Sequence, residues 1–185
     1  MSAAPALVAV LAGGAGRRMG SPKALAPLGG RPLIAWPLAA AAQAGLDVVV
    51  VAKPDTALPA LDVPVWLEPE APRHPLLGIV TALEAAGRAV VAVGCDQPWL
   101  PAELLAALAD GPGAAAPVVG GAPAPLPARY PPEALPALRA ALAAEAPLRR
   151  TLAALSPAPV ALGDPAVLAN VNTPEDLARV AFRAS

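Results

Sequence analysis

Residues 6–23 read ALVAVLAGGAGRRMGSPK: an apolar run passes directly into a glycine-rich, cationic loop. Four glycines of this loop fall within eight residues, and three cations fall within seven. Glycine has no Cβ, so it lets backbone N–H groups approach a phosphate closely, and nearby cations neutralise the remaining charge. The first acidic residue of the chain is Asp47. The stretch therefore predicts a strand that leads into a binding loop for a polyanion.

Two common glycine-rich loops do not fit this spacing. No glycine is followed five positions later by Gly-Lys-Ser/Thr, as a Walker A loop requires. Gly14 and Gly16 begin a dinucleotide fingerprint, but Gly20 falls one position late for its third glycine. Lys53 stands where that fingerprint expects an acidic ribose contact. A turn that only solves a packing problem is the alternative, but it would not need three nearby cations.

The composition limits the class of protein. With 185 residues and a net charge of −1, we expect one domain over residues 1–185. Aromatic residues make up only 3% of the chain and the charge is nearly balanced, which argues against a nucleic-acid partner. No apolar run approaches the ~20 residues that span a bilayer, and no signal peptide is visible, so no membrane partner is expected. The single cysteine, Cys95, excludes an internal disulfide and favours a cytoplasmic protein.

Short, continuous apolar blocks recur along the N-terminal half. Such blocks are typical of strands that are buried on both faces of a parallel sheet. Helical patterns lie between them, and the second half is expected to be more helical. The predicted strands are Ala6–Leu11, Val48–Ala52, Val63–Leu67 and Ala89–Val93. The predicted helices are Pro32–Ala44, Leu76–Ala86, Pro101–Ala109, Pro132–Ala144, Pro147–Leu155 and Pro174–Arg183.

This alternation predicts an α/β fold with three layers, α/β/α, around a mostly parallel, Rossmann-like central sheet. Ligands of such folds gather beyond the carboxyl ends of the strands, where both the glycine loop and Asp96 are expected. Pro37 should kink its helix or delay the start of that helix. Residues 111–127 are rich in glycine and proline, and they are expected to be irregular or flexible.

A second motif, GCDQPWL at residues 94–100, directly follows another apolar run. A carboxylate just beyond a buried strand can hold Mg²⁺, which uses one or two carboxylates together with substrate phosphates. The alternative is that Asp96 only caps or turns the chain. Because a cationic phosphate loop is expected at the same edge of the sheet, we favour metal binding by Asp96.

The pattern over residues 11–25, with LGGRPLI at residues 28–34, resembles the signature of nucleotidyltransferases that act on small phosphorylated substrates. The form of residues 94–100 is similar to that of the molybdenum cofactor guanylyltransferase family. This resemblance implies transfer of GMP from GTP to the phosphate of molybdenum-molybdopterin, with Mg²⁺ as cofactor and pyrophosphate as the second product. It also implies that the N-terminal half binds the nucleotide and that the C-terminal half mainly faces the pterin. Other cofactor-biosynthesis proteins and acceptor molybdoenzymes are the further partners it suggests.

The resemblance also assigns roles to individual residues. In that family the loop wraps the triphosphate, so Arg17 (or Arg18) and Lys23 would stabilise charge on the phosphates. Glu68 is the nearest equivalent of the acidic residue in the family's nucleotide site. The implied catalytic residues are Arg17, Lys23 and Asp96. The implied nucleotide-binding residues are Leu11, Ala12, Gly13, Gly14, Gly16, Lys23, Glu68 and Asp96, and Asp96 is the implied metal ligand.

Two residues depart from the family pattern, and one arginine is a further candidate. His74 replaces a glycine, and we interpret this single histidine as a loop side chain rather than a catalytic base. Lys53 stands where a polar neutral residue is expected beside the nucleotide. Arg129 is either a contact of the substrate phosphate or a solvated surface cation.

Near the C-terminus, residues 170–177 read NVNTPEDL and have two interpretations. Thr173 and Asp176 can form the capping box of a helix that begins at the intervening proline. The resembled family has a similar segment on the pterin side of its cleft. That similarity makes Asn170 and Asn172 candidate substrate contacts.

Other functions are compatible with the same residues. One is a cytidylyltransferase that acts on the same pterin, and another is a nucleotidyltransferase for a different phosphorylated metabolite. Base selectivity depends on a few hydrogen bonds in the pocket, which the sequence does not place. A nucleotide-binding module without catalysis is a third interpretation, and the presence of Lys23 and Asp96 argues against it.

Overall fold

The computed structural model describes residues 4–13, 22–173 and 175–176. The strands in these residues are β1 (Leu7–Leu11), β2 (Pro27–Leu28), β3 (Arg31–Pro32), β4 (Val48–Ala52), β5 (Val65–Leu67), β6 (Val90–Gly94), β7 (Ala115–Val119), β8 (Ala122–Pro123), β9 (Ala128–Tyr130) and β10 (Ala158–Val160). The α-helices are α1 (Ala35–Gln43), α2 (Pro75–Ala86), α3 (Ala102–Ala109), α4 (Leu135–Ala143) and α5 (Leu148–Ala154). Short 3₁₀ helices lie at Lys23–Leu25, Pro132–Ala134 and Pro165–Leu168.

Within the described residues, eight strands form one central sheet in the order β10-β7-β9-β6-β1-β4-β5, with β8 paired to β7. The four strands β6, β1, β4 and β5 are parallel to one another. Strand β9 is antiparallel to both of its neighbours, and β10 is parallel to β7. The sheet is therefore mostly parallel, as predicted. Strands β2 and β3 form a separate hairpin.

Helices cover both faces of this sheet, which explains why its central strands are apolar without alternation. In β1, Val8 and Val10 are fully buried in the core shared with α1 and α3. Leu7 and Ala9 point the other way, into the core shared with α2 and α4. Each fully buried valine or leucine contributes about 1.5–3 kcal/mol. The predicted three-layer α/β/α arrangement is confirmed.

The predicted elements of the first half agree with the structure to within about three residues. Strand β4 has the predicted bounds. Helix α1 begins at Ala35 rather than at Pro32, because Pro32 pairs with Pro27 in the hairpin. Pro37 lies in the first turn of α1, where the missing N–H has no intrahelical partner to lose. The delayed start that Pro37 predicts is therefore confirmed.

The expectation for residues 111–127 is wrong. This segment contains β7 and its hairpin partner β8, and Ala115 and Ala116 are buried in the sheet. The glycines of the segment lie at the turns: Gly120 and Gly121 join the two strands, and both have positive φ. The second half also supplies β9 and β10, which were not predicted, beside α4 and α5, which match two of the predicted helices. The dense glycine and proline signal hid a five-residue apolar strand.

Two predictions lie beyond what the structure tests. The predicted helix Pro174–Arg183 falls mostly outside the described residues, and the single domain over residues 1–185 stays a prediction. Among the described residues, no helix is long and apolar enough to cross a membrane.

Candidate active site

A cleft opens at the carboxyl edge of the parallel strands, where this fold predicts a ligand. Its cavity has a volume of about 620 Å³. The loops after β1, β4, β5 and β6 and the first turns of α2 line it. The lining includes five predicted site residues: Leu11, Gly13, Lys23, Glu68 and Asp96.

One end of the cleft is built around the ammonium group of Lys23. Lys23 Nζ donates to Asp96 Oδ2 at 2.5 Å and to Asn172 Oδ1 at 2.6 Å. The side chains of Lys23 and Asp96 are both mostly buried, with 16% and 14% exposed. The backbone N–H of Val171 donates to the Asp96 carbonyl at 2.9 Å, which fixes the 170–172 segment beside the loop after β6. Three distant parts of the chain therefore meet at one cation.

The loop that carries Asp96 is held by Gln97, which is 1% exposed. Gln97 Oε1 accepts from the N–H of Gly94 at 2.9 Å, and its Nε2 donates to the Leu126 carbonyl at 3.0 Å. A Cβ at Gly94 would overlap Asp96 Oδ1. Glycine at the end of β6 is therefore required for the observed position of the carboxylate.

The oxygen atoms at this end suit a magnesium ion. Asp96 supplies a carboxylate and Asn172 an amide oxygen, and both already converge on the positive charge of Lys23. Mg²⁺ prefers such oxygen ligands and normally takes few of them from the protein, leaving the rest to phosphates and water. The described residues contain no cluster of three His, Cys, Asp or Glu side chains that could form an all-protein metal cage. The two oxygen donors of Asp96 and Asn172 fit the ligand chemistry of Mg²⁺.

Cys95 lies beside Asp96 but is poorly suited to act as a nucleophile. Burial raises the pKa of its thiol to about 12, and the neighbouring Asp96 carboxylate adds to the rise. The thiolate is the nucleophilic form of cysteine. Cys95 is 6% exposed and packs in the core of the protein.

The other end of the cleft holds a buried ion pair between Lys53 and Glu68. Lys53 follows β4 and Glu68 follows β5, and they are only 2% and 6% exposed. Lys53 Nζ lies 3.2 Å from Glu68 Oε1 and donates to the Pro69 carbonyl at 2.7 Å. Burial raises the pKa of Glu68, and the charge of Lys53 opposes that rise.

Two glycines make room for the Glu68 carboxylate. A Cβ at Gly13 would overlap Glu68 Oε1, and a Cβ at Gly78 would lie 3.0 Å from Oε2. Gly13 ends the apolar run of β1, and Gly78 lies in the first turns of α2. The carboxylate therefore packs against the backbones of two different elements, which explains one glycine of the loop by packing rather than by phosphate binding.

The loop between β5 and α2 is fixed from several sides. Arg73 forms an exposed ion pair with Asp55 at 2.9 Å. His74 is the N-cap of α2, and its Nδ1 accepts from the N–H of Leu76 at 3.2 Å. This contact gives His74 a structural role and agrees with the interpretation that it is not a catalytic base.

The capping interpretation of the C-terminal motif is confirmed. Asp176 Oδ2 accepts from the N–H groups of Asn172 and Thr173 at 2.9 and 3.0 Å. Thr173 Oγ1 accepts in return from the N–H of Asp176 at 3.1 Å. The cap leaves the side chain of Asn172 available for Lys23, whereas Asn170 is exposed. Only Asn172 of the two asparagines is therefore brought to the ammonium group.

Two predicted site residues have other roles, and three lie outside the described residues. The N–H of Ala12 donates to the Val51 carbonyl at 2.8 Å, so this amide belongs to the sheet and does not face a phosphate. Arg129 is buried in β9 and donates to the Asp110 carbonyl at 2.7 Å. It pairs with Val91 near the start of β6, away from the carboxyl edge. This position supports neither interpretation of Arg129, the contact of the substrate phosphate or the solvated surface cation. The three predicted site residues that lie outside the described residues are Gly14, Gly16 and Arg17.

Two contributions were not visible in the sequence. Lys53 looked only like a departure from a pattern, yet it is the buried partner of Glu68. Gln97 was not predicted to have a role. The available signal was that this polar residue directly follows Asp96 in an otherwise apolar stretch. Both act through residues that are distant in the chain.

Known proteins match this chain over nearly its whole length. A family description, MobA-like NTP transferase domain, matches residues 8–160. The chain belongs to the MobA-like NTP transferase family. It is 40% identical to the molybdenum cofactor guanylyltransferase of Rhodobacter capsulatus over 94% of both chains, and 37% identical to that of Cereibacter sphaeroides over 92% of both. A crystal structure of molybdopterin-guanine dinucleotide biosynthesis protein A from Archaeoglobus fulgidus superposes with a TM-score of 0.76 and 25% identity, covering 96% of this chain and 98% of that one.

As a member of the MobA-like NTP transferases, the protein is a nucleotidyltransferase enzyme, and its relatives place it in molybdenum cofactor biosynthesis. The predicted family and the predicted fold class are both confirmed. The cleft agrees with a triphosphate substrate, because one end of it contains the ammonium group of Lys23 beside the carboxylate of Asp96.

Proposed function

We propose that this protein transfers GMP from GTP to the phosphate of molybdenum-molybdopterin, giving the guanine dinucleotide form of the cofactor and pyrophosphate. The convergence of Lys23, Asp96 and Asn172 at one end of a nucleotide-sized cleft carries the proposal. The names of the two curated relatives described above support this choice of donor and acceptor.

The chemistry needs an in-line displacement and no protein nucleophile. An oxygen of the acceptor phosphate attacks the α-phosphorus of GTP, and the bond from that phosphorus to the bridging oxygen of the pyrophosphate breaks. Such transfers depend on positioning and on stabilisation of charge rather than on covalent catalysis. Cys95 is the nucleophilic side chain nearest to Asp96 along the chain, and its raised pKa, about 12, keeps it protonated.

The proposed roles divide between the two ends of the cleft. Lys23 and Arg17 stabilise negative charge on the phosphates, with help from the amides of the glycine loop. Asp96 and Asn172 hold Mg²⁺, which when bound neutralises charge on the phosphate oxygens. Leu11, Gly13 and Glu68 contact the nucleoside, and the C-terminal half faces the pterin.

Lys23 changes partners in this proposal. In the structure its ammonium group lies between Asp96 and Asn172. The same two oxygens would hold the divalent cation, and the triphosphate offers the ammonium a new set of anionic partners. We therefore expect the Lys23–Asp96 contact to open when the metal and the nucleotide bind together.

The test is release of pyrophosphate with each of the four nucleoside triphosphates, with and without molybdenum-molybdopterin. Release with GTP only when the pterin is present supports the proposal. Release with CTP, or with a different phosphorylated acceptor, favours one of the alternative transferases. Nucleotide binding without release for any acceptor favours a binding module. Dependence on added Mg²⁺ is measured in the same assay after treatment with EDTA.

Two further parts of the proposal concern the setting. A product that carries a labile metal group is best passed directly between proteins, so other cofactor-biosynthesis proteins and acceptor molybdoenzymes are proposed partners. The single cysteine suits a reducing cytoplasm, which is the proposed location.

A further inference from the structure

Lys53 is a buried cation with no part in the phosphate chemistry proposed above. Three acceptors surround its Nζ: Glu68 Oε1 at 3.2 Å, the Pro69 carbonyl at 2.7 Å and the Pro72 carbonyl at 3.5 Å. A lysine ammonium has three donor hydrogens. Because protein acceptors surround the ammonium group and the side chain is only 2% exposed, Lys53 acts through Glu68 rather than on a ligand directly.

Glu68 is the polar group that Lys53 holds against the cleft. Lys53 Nζ approaches Oε1, which keeps a further acceptor site, and Oε2 lies on the side of Gly78. The two glycines beside the carboxylate, Gly13 and Gly78, leave room for it because a Cβ at either position would approach its oxygens closely. A buried carboxylate gains most from N–H or O–H donors that replace the water it has lost.

The strand order places this carboxylate at the far end from the metal ligands. Asp96 follows β6 and Glu68 follows β5, and the order β6-β1-β4-β5 puts three strand spacings between the two strands. Three spacings amount to roughly 14 Å. A nucleotide that lies across the strand ends, with its phosphates at Asp96, therefore extends its base towards Glu68.

The role of Lys53 is to favour the ionised form of Glu68. Burial favours the neutral carboxyl group of Glu68, and Lys53 and the nearby Arg73 oppose this effect. A carboxylate accepts two hydrogen bonds side by side, whereas a neutral acid presents a donor on one oxygen. Guanine offers two adjacent donors, the N1–H and the N2 amino group, while adenine has no N1–H and cytosine only one amino group.

We propose that Lys53 is a positioning residue for base recognition: it holds Glu68 as a carboxylate that accepts hydrogen bonds from the N1–H and N2 amino groups of guanine. This inference rests on the proposed function for the choice of GTP as substrate. It adds which group selects the base, and it gives the lysine at this position a function.

The experiment measures binding by calorimetry, without acceptor and without turnover. The nucleotides are GTP, ITP, which lacks the N2 amino group, and 2′-deoxy-GTP, which lacks a ribose hydroxyl. The proteins are wild type, Lys53→Met, Glu68→Gln and the double variant. Wild type is expected to bind GTP about tenfold more tightly than ITP, the worth of one hydrogen bond to a charged group. Lys53→Met is expected to lose most of that preference.

The double variant separates a positioning role from a structural one. If Lys53 acts through Glu68, Lys53→Met changes the ratio of GTP to ITP affinity strongly in wild type and little in the Glu68→Gln background. If Lys53→Met changed the affinity ratio equally in both backgrounds, Lys53 would only hold residues 69–72 in place. That result would overturn the proposal. The proposal would also be overturned if Lys53→Met bound 2′-deoxy-GTP as tightly as GTP but still bound ITP more weakly than GTP. Glu68 would then contact the ribose and not the base.

Two variants guard against misfolding and indirect effects. Lys53→Gln keeps hydrogen-bond donors near the carbonyl groups but removes the charge, so it must behave like Lys53→Met in the ratio if charge is what matters. Asp47→Asn breaks the ion pair with Arg88, neither of which lines the cleft, and is expected to leave the ratio unchanged. If wild type prefers GTP to ITP but transfers no GMP to molybdenum-molybdopterin, the proposed function fails while this inference stands. If wild type transfers GMP but does not distinguish GTP from ITP, only this inference fails.

Discussion

The ammonium group of Lys23 lies 2.5 Å from Asp96 Oδ2, although 73 residues separate the two in the chain. A 3₁₀ turn after the glycine loop carries the lysine, and the end of β6 carries the aspartate. Their contact joins the proposed phosphate-binding lysine to the proposed metal ligand.

The first prediction concerns this pair. Lys23→Met and Asp96→Asn should each lower the rate of GMP transfer by about 10²–10³-fold, as loss of one charge-stabilising group in a preorganised site typically does. The measurement is pyrophosphate release at saturating GTP and Mg²⁺. Arg139→Met, which breaks an exposed ion pair with Glu84, is the matched control and should keep the wild-type rate. Near-normal transfer by either Lys23→Met or Asp96→Asn would contradict the proposed mechanism.

The second prediction concerns the space around Glu68. Gly13→Ala should destabilise the protein by about 1–3 kcal/mol, because the new Cβ overlaps a buried carboxylate that is tied to Lys53. Gly163→Ala is the control, since a Cβ there meets nothing within 4 Å. The measurement is the free energy of unfolding in urea. Equal stability of the two variants would show that Glu68 moves aside without cost.

The third prediction concerns Cys95. Its pKa of about 12 means that the folded protein holds very little thiolate at pH 8, so iodoacetamide should modify it slowly. In urea the pKa returns towards about 8.5 and the reaction should become fast. Mass spectrometry follows the modification. Cys95→Ala should retain GMP transfer, and loss of transfer in a folded Cys95→Ala protein would argue for a chemical role of the thiol.

The fourth prediction follows from the raised pKa of Glu68. Between the ordinary glutamate pKa, about 4.3, and the raised value, the folded protein binds more protons than the unfolded chain does. The contribution of this group to stability therefore falls as the pH rises through that interval. Glu68→Gln cannot titrate, so its stability relative to wild type should rise over the same interval. Urea unfolding of both proteins across that range is the measurement, and a constant difference would contradict the raised pKa.

The architecture was predictable because its signals are local. Unbroken apolar runs such as Val48–Ala52 require burial on both faces, and only a parallel sheet between helices provides it. The strand β7 escaped prediction because Gly120 and Gly121, which form its hairpin turn, resemble disorder when read as composition. Arg129 was misjudged for a related reason: its neighbours showed no strand, so its burial against Asp110 was not visible.

The sequence by itself determined the glycine loop, the carboxylate after β6, and hence the family and the chemistry, because each is a short motif whose meaning lies in adjacent residues. Tertiary structure alone decided which groups share the cleft. Asn172 reaches Lys23 across 149 residues, and Lys53 meets Glu68 because β4 and β5 are neighbours in the sheet. Such contacts depend on strand order and side-chain packing, which no local pattern encodes.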